Sequence, residues 1–322
     1  MAILVVGGAG YIGSHAARAL RRAGYEAIIY DSLVNGNRRL TEGFELIEGD
    51  IADEAKLRPV LKRVDGVMHF AAAAYVGESV ENPRKYFRNN VEGALSLLNS
   101  TLDAGIRRFV FSSTCAVYGE PAKVPITEDN PRQPVNPYGT SKLFCEFALE
   151  AYDRAYGFRS ARLRYFNAAG ADESGEIGEM HTPETHLIPL ALAATQDGAE
   201  LKVFGTDYPT PDGTCVRDYV HVNDLADAHV RALQHLEKGG ESIALNLGSG
   251  NGDSVLEVIH AAEAATGRPV RRRMGTRRAG DPPVLVADPS LAQRVLGWKA
   301  TRGLPEIVAS AWKWMQKVRS GA

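Results

Sequence analysis

The segment that most constrains this chain is Ile3-Leu4-Val5-Val6, followed directly by Gly7-Gly8-Ala9-Gly10-Tyr11-Ile12-Gly13. The apolar run reads as a buried strand, and the glycines after it read as a tight turn into a helix. Glycine lets the backbone pass close to a pyrophosphate, and a helix N-terminus adds unpaired N–H groups with a partial positive charge. Two frames fit: Gly8, Gly10 and Gly13 match G-x-G-x-x-G, while Gly7, Gly10 and Gly13 match a G-x-x-G-x-x-G variant. The next apolar run, Ala27 to Tyr30, ends in Asp31, where the second strand of a βαβ unit presents an acid to an adenosine ribose. A carboxylate accepts hydrogen bonds from both ribose hydroxyls and repels a 2′-phosphate, so Asp31 points to NAD rather than NADP. Ser32 to Asn35 hold no arginine, and Arg38 and Arg39 follow further on.

Strand and helix patterns alternate beyond this point. Strands are expected at Phe44 to Glu48, Gly66 to Phe70, Phe109 to Ser112 and Ser160 to Arg164, with helices near 53–63, 83–104 and 138–156. Such alternation implies an α/β fold, a Rossmann-type doubly wound parallel sheet covered by helices on both faces. After about residue 170 the pattern changes, and Gly, Pro, Asp and Glu clusters from Ala171 to Thr214 suggest loops and short elements that could close over a ligand. Ile243 to Leu247 reads as another buried strand, so two interleaved domains are expected: 1–170 with about 216–247, and a smaller one over 171–215 and 248–322.

A net charge of −2 leaves no electrostatic footprint for nucleic acid, and the arginines at 271–273 and 277–278 are too local to make one. No apolar run approaches the roughly 18 residues that span a bilayer, so no membrane partner is expected and the cytoplasm is the expected compartment. Cys115, Cys145 and Cys215 form no C-x-x-C or His/Cys cluster, and no metal is expected from them.

Tyr138 and Lys142 lie one helical turn apart, which stacks a phenol beside an ammonium. A free tyrosine ionises near pH ~10, so it acts as a base at neutral pH only where a nearby cation favours the phenolate. Phe109-Val110-Phe111 ends in Ser112-Ser113-Thr114, placing hydroxyls at a strand's carboxyl end, where ligands of open α/β sheets bind. Each hydroxyl alone reads as a strand-end cap. Together with Tyr138 they form the hydroxyl, phenol and ammonium set suited to removing a proton from an alcohol beside a nicotinamide.

These segments resemble the extended short-chain dehydrogenase/reductase family, and within it the branch that epimerises UDP-sugars at C4. The similarity runs through Gly10 to His15, His69 to Ala72, Val76 to Ser79, Asn89 to Val91, Leu163 to Asn167 and Asp212 to Tyr219. The resemblance implies Tyr138 as the base, Lys142 tuning it and holding the nicotinamide ribose, and Thr114 hydrogen-bonding the sugar hydroxyl. The cofactor set it implies is Gly7, Gly10, Tyr11, Ile12, Gly13, Asp31, Ser32, Leu33, Asn35, Gly36, Asp50, Ile51, Phe70, Ala71, Ala72, Asn89, Ser112, Tyr165 and Phe166, with Tyr138 and Lys142. For the nucleotide sugar it implies Thr114, Tyr138, Asn167, Leu187, Phe204, Arg217, Arg278 and Asp281, the arginines gripping the diphosphate. The expected reaction oxidises C4 to a 4-keto sugar and returns hydride to the opposite face, so a tightly bound NAD is regenerated in each cycle. UDP-glucose and UDP-galactose are the expected pair. A homodimer through helices near 83–104 and 138–156 is also implied, by Leu95, Leu97, Leu98, Leu143, Phe144 and Phe147, which could equally be internal core.

The chain departs from the family pattern at two places. Ala74 stands where many of these epimerases carry a lysine against the cofactor diphosphate, and Thr185-His186-Leu187 replaces a common Asn-Leu. His186 is accordingly read as a packing or cap residue. Leu285 falls where relatives differ between a bulky aromatic and a smaller side chain, so UDP-N-acetylhexosamines and UDP-xylose or UDP-arabinose stand as alternative substrates. The related dehydratases and decarboxylases carry acids just after the threonine. Cys115 and Ala116 cannot serve as the extra acid and base that eliminating water requires. A catalytically silent NAD-sensing scaffold on the same fold is disfavoured by intact Thr114, Tyr138 and Lys142.

Overall fold

The computed structural model describes residues 1–196, 198–278 and 281–320. Seven parallel strands form its main sheet: β1 (Ala2–Val6), β2 (Glu26–Asp31), β3 (Glu45–Glu48), β4 (Gly66–His69), β5 (Arg108–Thr114), β6 (Arg159–Tyr165) and β7 (Ile243–Leu247). Their order is β7-β6-β5-β4-β1-β2-β3, so the chain reverses direction of travel between β1 and β4 and opens a crevice beyond their carboxyl ends. The longer helices are α1 (Tyr11–Arg22), α2 (Glu54–Leu61), α3 (Gly93–Asp103), α4 (Pro137–Tyr156), α5 (Leu187–Ala193), α6 (Val222–Glu237), α7 (Val255–Thr266) and α8 (Leu304–Arg319).

Ile3, Leu4, Val5 and Val6 are all fully buried, because β1 has strands on both edges and helices on both faces. Alternate side chains go to opposite layers. Ile3 and Val5 pack with Ala16, Ala17 and Leu20 of α1 and with Leu225, Ala228 and Leu233 of α6. Leu4 and Val6 pack with Leu57 and Leu61 of α2, Leu97 and Leu98 of α3, and Leu149 of α4. A separate core joins α5, α7 and α8 with Leu201 and Val203, and its short strands Asn167–Ala169 and Val216–Arg217 take up the chain beyond the main sheet. No helix among the described residues is long and apolar enough to cross a membrane.

The helix expected over 83–104 is interrupted. A single turn at Pro83–Tyr86 leads into a π-helical stretch, Phe87–Glu92, before α3 begins. That wider turn carries the buried Asn90, whose amide donates to the Ala73 carbonyl (2.9 Å) and to Ser141 Oγ (3.0 Å) and accepts from the Ala73 N–H (2.8 Å). Such π stretches recur at functional sites because they turn one extra side chain inward. Here it ties the segment after β4 to α4.

Ion pairs join α4 to β6, Arg162 with Glu150 and Arg164 with Glu146 among them, and the latter is the more deeply buried. Arg164 on β6 donates to both oxygens of Glu146 on α4, at 2.9 and 2.6 Å, and the two side chains are almost wholly buried. Ser113 of β5 donates to the same carboxylate (2.6 Å), and the remaining Arg164 nitrogen donates to the Tyr118 hydroxyl (2.8 Å). Burial pushes the Glu146 carboxyl upward, and the hydrogen bonds and charge of Arg164 outweigh it, leaving it below the usual carboxylate range. Removing one partner of such a pair strands a buried charge and costs about 3–5 kcal/mol. Arg164→Met should therefore destabilise the fold by about that amount in denaturant unfolding. Arg164→Met with Glu146→Leu should recover much of the loss, and a single-variant cost below about 1 kcal/mol would contradict this account.

Candidate active site

The glycine turn is built by close backbone approach. Gly7 has a φ of +81°, and a Cβ there would lie 2.4 Å from the Ala71 nitrogen; one on Gly13 would lie 2.3 Å from the Gly7 carbonyl oxygen. A Cβ on Gly8 would instead meet the Ile29 side chain, so Gly7, Gly10 and Gly13 are the frame that opens to the crevice. Gly10 caps α1, whose first residues Tyr11 and Ile12 present its free N–H groups, and the Tyr11 hydroxyl donates to the Gly170 carbonyl (2.6 Å).

Asp31 ends β2 nearly buried, with Oδ2 accepting from the Ala9 N–H (2.9 Å) and Oδ1 from the Leu33 N–H (2.8 Å). Burial raises its pKa, and these two backbone bonds pull against that rise. The loop Ser32, Leu33, Asn35, Gly36 folds over it, and only a glycine fits at 36, since a Cβ would lie 2.6 Å from Asp31 Oδ1. Leu33, at φ +58°, is the one non-glycine residue with positive φ among the described residues. Asp50, Ile51 and Asn89 line a cavity of about 720 Å³ with Arg84, Lys85 and Arg88. Phe70, Ala71 and Ala72 follow β4 along the crevice, and Phe166 follows β6. Ala74 is exposed beside them.

The catalytic group forms where α4 abuts β5. Asn136 caps the helix by accepting from the Gly139 N–H (2.8 Å), and Pro137 occupies its first turn. A Cβ on Gly139 would lie 2.5 Å from the Ala116 carbonyl oxygen, so only glycine lets the helix meet the short turn Cys115–Tyr118. Thr114 Oγ1 accepts from the Ala116 N–H (3.2 Å) at that turn, and its hydroxyl faces the Tyr138 phenol closely enough to lower its pKa. Lys142 is 3% exposed; its Nζ donates to the Ser112 carbonyl (2.8 Å) and lies 4.9 Å from the centre of the Phe111 ring. The Ser112 and Tyr165 hydroxyls are hydrogen-bonded to each other.

Burial pushes the Tyr138 phenol up to about 12, with Thr114 lowering it and the Cys115 thiol raising it. Burial drops the Lys142 ammonium, which is turned to the Ser112 carbonyl, to about 8. At neutral pH the phenol is therefore protonated and the buried ammonium charged.

The residues expected to hold a nucleotide sugar lie mainly in the second core and its short strands. Asn167 donates to the Asp218 carbonyl (2.9 Å), and Leu187 begins α5. Arg217 donates to the Pro282 carbonyl (2.9 Å) and pairs with Asp281, while the Arg278 guanidinium sits 3.9 Å from the centre of the Phe204 ring. Arg217 also lies close enough to Cys115 to lower its thiol pKa, against burial that raises it to about 12, so this group borders the catalytic one. His186 takes the N-cap position of α5, where its carbonyl accepts from the Leu190 N–H (3.2 Å) without a side-chain cap, and its ring packs against His181. Its ring bonds Glu179 (2.6 Å) and Glu184 (3.0 Å), and the two carboxylates raise its pKa to about 10 against the opposing effect of burial. Sequence reading missed Asn90 as a clamp and Glu146 with Arg164 as an anchor; the only signal was a charge at apolar spacing on α4, one turn after Lys142.

A glycine turn at the reversal point of a parallel sheet, an acid at the end of β2 and a Tyr-Lys pair on one helix define a dinucleotide-dependent enzyme. The chain belongs to the NAD dependent epimerase/dehydratase family, whose profile matches residues 3–248. It is 52% identical to the UDP-glucose 4-epimerase of Rhizobium meliloti (strain 1021), over 99% of this chain and 98% of that protein. The crystal structure of the Brucella ovis UDP-glucose 4-epimerase in complex with NAD superposes with a TM-score of 0.94 at 49% identity, covering 97% of each chain. That of the Stenotrophomonas maltophila UDP-glucose-4-epimerase, with bound NAD and formylated UDP-arabinopyranose, gives 0.97 at 42% identity over 100% of both chains.

A depressed lysine pKa makes a stability prediction. Below pH 8 Lys142 is charged in both the folded and unfolded chain, so the fold carries the full cost of burying it; above 10.5 both forms are neutral and the cost is gone. In cofactor-free protein, Lys142→Met should raise the melting temperature at pH 7, and this gain should shrink as pH climbs from about 8 towards 10.5. A gain that stays constant across that window would contradict the assignment.

Proposed function

We propose that this chain interconverts UDP-sugars that differ in configuration at C4, with UDP-glucose and UDP-galactose as its principal pair. The chain is an NAD-dependent UDP-sugar 4-epimerase. The tight turn that Gly7 and Gly13 allow, the free N–H groups of α1 and the acceptors of Asp31 fit a dinucleotide. When bound there, NAD would supply the hydride acceptor and donor for C4.

The chain's own residues move the proton and hold the sugar. Tyr138 takes the proton of the C4 hydroxyl, which Thr114 aligns, and later returns it to the C4 oxygen on the opposite face. Lys142 holds the Ser112 carbonyl and adds its charge to the cleft. Burial holds the phenol up, and positive charge in the cleft favours its ionised form. Arg217 and Arg278 grip the diphosphate, a planar bidentate task, so the nucleotide stays anchored while the 4-keto sugar turns over. The observation that carries this reading is the contact of Tyr138 with Thr114 at a turn whose next residues are Cys115 and Ala116. Elimination of water needs a carboxyl acid there, and neither residue has one.

The division into 1–170 with about 216–247 for NAD, and 171–215 with 248–322 for the nucleotide sugar, is part of this proposal, supported by the separate core around α5, α7 and α8. So is a homodimer through α3 and α4. Leu97, Leu98 and Leu143 belong to the chain's own core, while Phe144 (52% exposed) and Phe147 (46%) remain for a partner. Free Cys115, Cys145 and Cys215 suit the reducing cytoplasm. Light scattering at twice the chain mass supports the dimer, and a single-chain mass contradicts it.

Purified protein given UDP-galactose, UDP-N-acetylgalactosamine or UDP-xylose separately should yield the C4 epimer of the first, resolved by chromatography; no epimer from any of them would overturn the proposal. Tyr138→Phe should lower turnover by roughly 10³-fold or more while keeping its NAD. Near-unchanged activity would mean that the proton leaves by another route.

A further inference from the structure

Away from the catalytic groups, Glu179, His181, Glu184 and His186 each aim a donor atom at one point, and all four atoms lie within 4.8 Å of one another. We propose that these side chains bind one divalent transition ion of the zinc class, which closes the segment 179–186 into a fixed loop beside the start of α1. The proposal stands whether or not the reaction above is correct.

The donor set selects the ion. Two imidazole nitrogens with two carboxylate oxygens suit zinc and its neighbours, whereas magnesium and calcium prefer oxygen alone. Two neutral imidazoles and two carboxylates balance a charge of plus two. The existing contacts are 2.6 Å for His186 with Glu179, 2.8 Å for His181 with Glu179 and 3.0 Å for His186 with Glu184. Tetrahedral bonds of about 2.0–2.1 Å need donors roughly 3.3 Å apart, so these three contacts open by about 0.3–0.7 Å while the wider pairs of the cluster draw in.

The backbone beneath the donors is held independently. The Glu179 carbonyl accepts from Trp314 Nε1 (2.8 Å), and Gly178 packs flat on that indole, where a Cβ would lie 2.4 Å from the ring. Glu184 accepts from the N–H groups of Thr185 (2.7 Å) and His186 (2.8 Å), which fixes the second half of the set. Glu179 forms a buried floor at 7% side-chain exposure, and His186 at 49% leaves an entry path. The His181 ring meets Tyr11 edge-on at 6.3 Å and Tyr75 at 6.0 Å. An ion here therefore closes the 179–186 loop on itself, with the His181 ring held against the first residue of α1.

The test uses untagged protein with its cofactor bound, stripped with EDTA and dialysed against one equivalent of zinc chloride. Mass spectrometry of the metal should find about one zinc per chain. Cobalt chloride alone should give the visible absorption of four-coordinate cobalt, with affinity reduced roughly tenfold or more in His181→Ala and in Glu184→Gln, which preserves side-chain shape. His260→Ala, an exposed histidine on α7, should bind as the unsubstituted protein does. Zinc should raise the melting temperature of the unsubstituted protein but not of the two site variants. Fewer than about one chain in ten holding zinc, or equal cobalt affinity in the site variants, would show that the cluster only shares protons and would overturn the proposal.

Discussion

The buried pair between Arg164 and Glu146 holds α4 against β5 and β6 at the candidate active site. Tyr138, Lys142 and Glu146 follow one another at single-turn spacing along α4, so a helix pinned at Glu146 presents the phenol and the ammonium at fixed depth and rotation. The same carboxylate holds Ser113, one residue before Thr114, and through Arg164 it reaches Tyr118 at the end of the turn that Thr114 caps. A shift at this pair would move the base and the hydroxyl opposite it together. Gly139 completes the arrangement from the other side, because only a residue without a Cβ lets the first turn of α4 rest on the Ala116 carbonyl.

Burial then gives that geometry its chemistry. The cleft raises the phenol and lowers the ammonium, so at neutral pH the phenol stays protonated while the ammonium keeps its charge at a cost in desolvation. Such a site is held in readiness at a cost in stability and responds to the charge that enters it. The second requirement, a grip on the nucleotide that does not depend on the sugar ring, is what the proposal assigns to Arg217, paired with Asp281, and to Arg278, stacked on Phe204. A ring that must present both faces cannot itself be tightly held.

Much of this was legible in the sequence because it rests on local rules. The β1 run is continuously apolar because it lies between two strands, and the glycines at 7 and 13 are required by contacts that any side chain would fill. Asp31 and the Tyr-Lys spacing are likewise written along single elements. The rest depends on tertiary encounters. The π-helical stretch around Asn90 looks like ordinary helix in sequence, and its cause is a hydrogen-bonding partner at Ala73 in another segment. The direction of Lys142 follows from the Ser112 carbonyl, thirty residues away, and not from the spacing to Tyr138. His186 carries no periodic signal, since its partners Glu179 and Glu184 lie in a loop whose folding the pattern does not encode.

The central claim is that C4 is oxidised and reduced within one closed cleft, while the proton handled by Tyr138 belongs to oxygen and not to carbon. The most direct measurement converts UDP-galactose in deuterium oxide and reads the isotope at C4 of the isolated UDP-glucose by nuclear magnetic resonance. The account predicts that C4 keeps its original hydrogen, because the hydrogen removed from carbon is the one returned. Deuterium at C4 would mean that the carbon-bound hydrogen exchanges with solvent, and would contradict it.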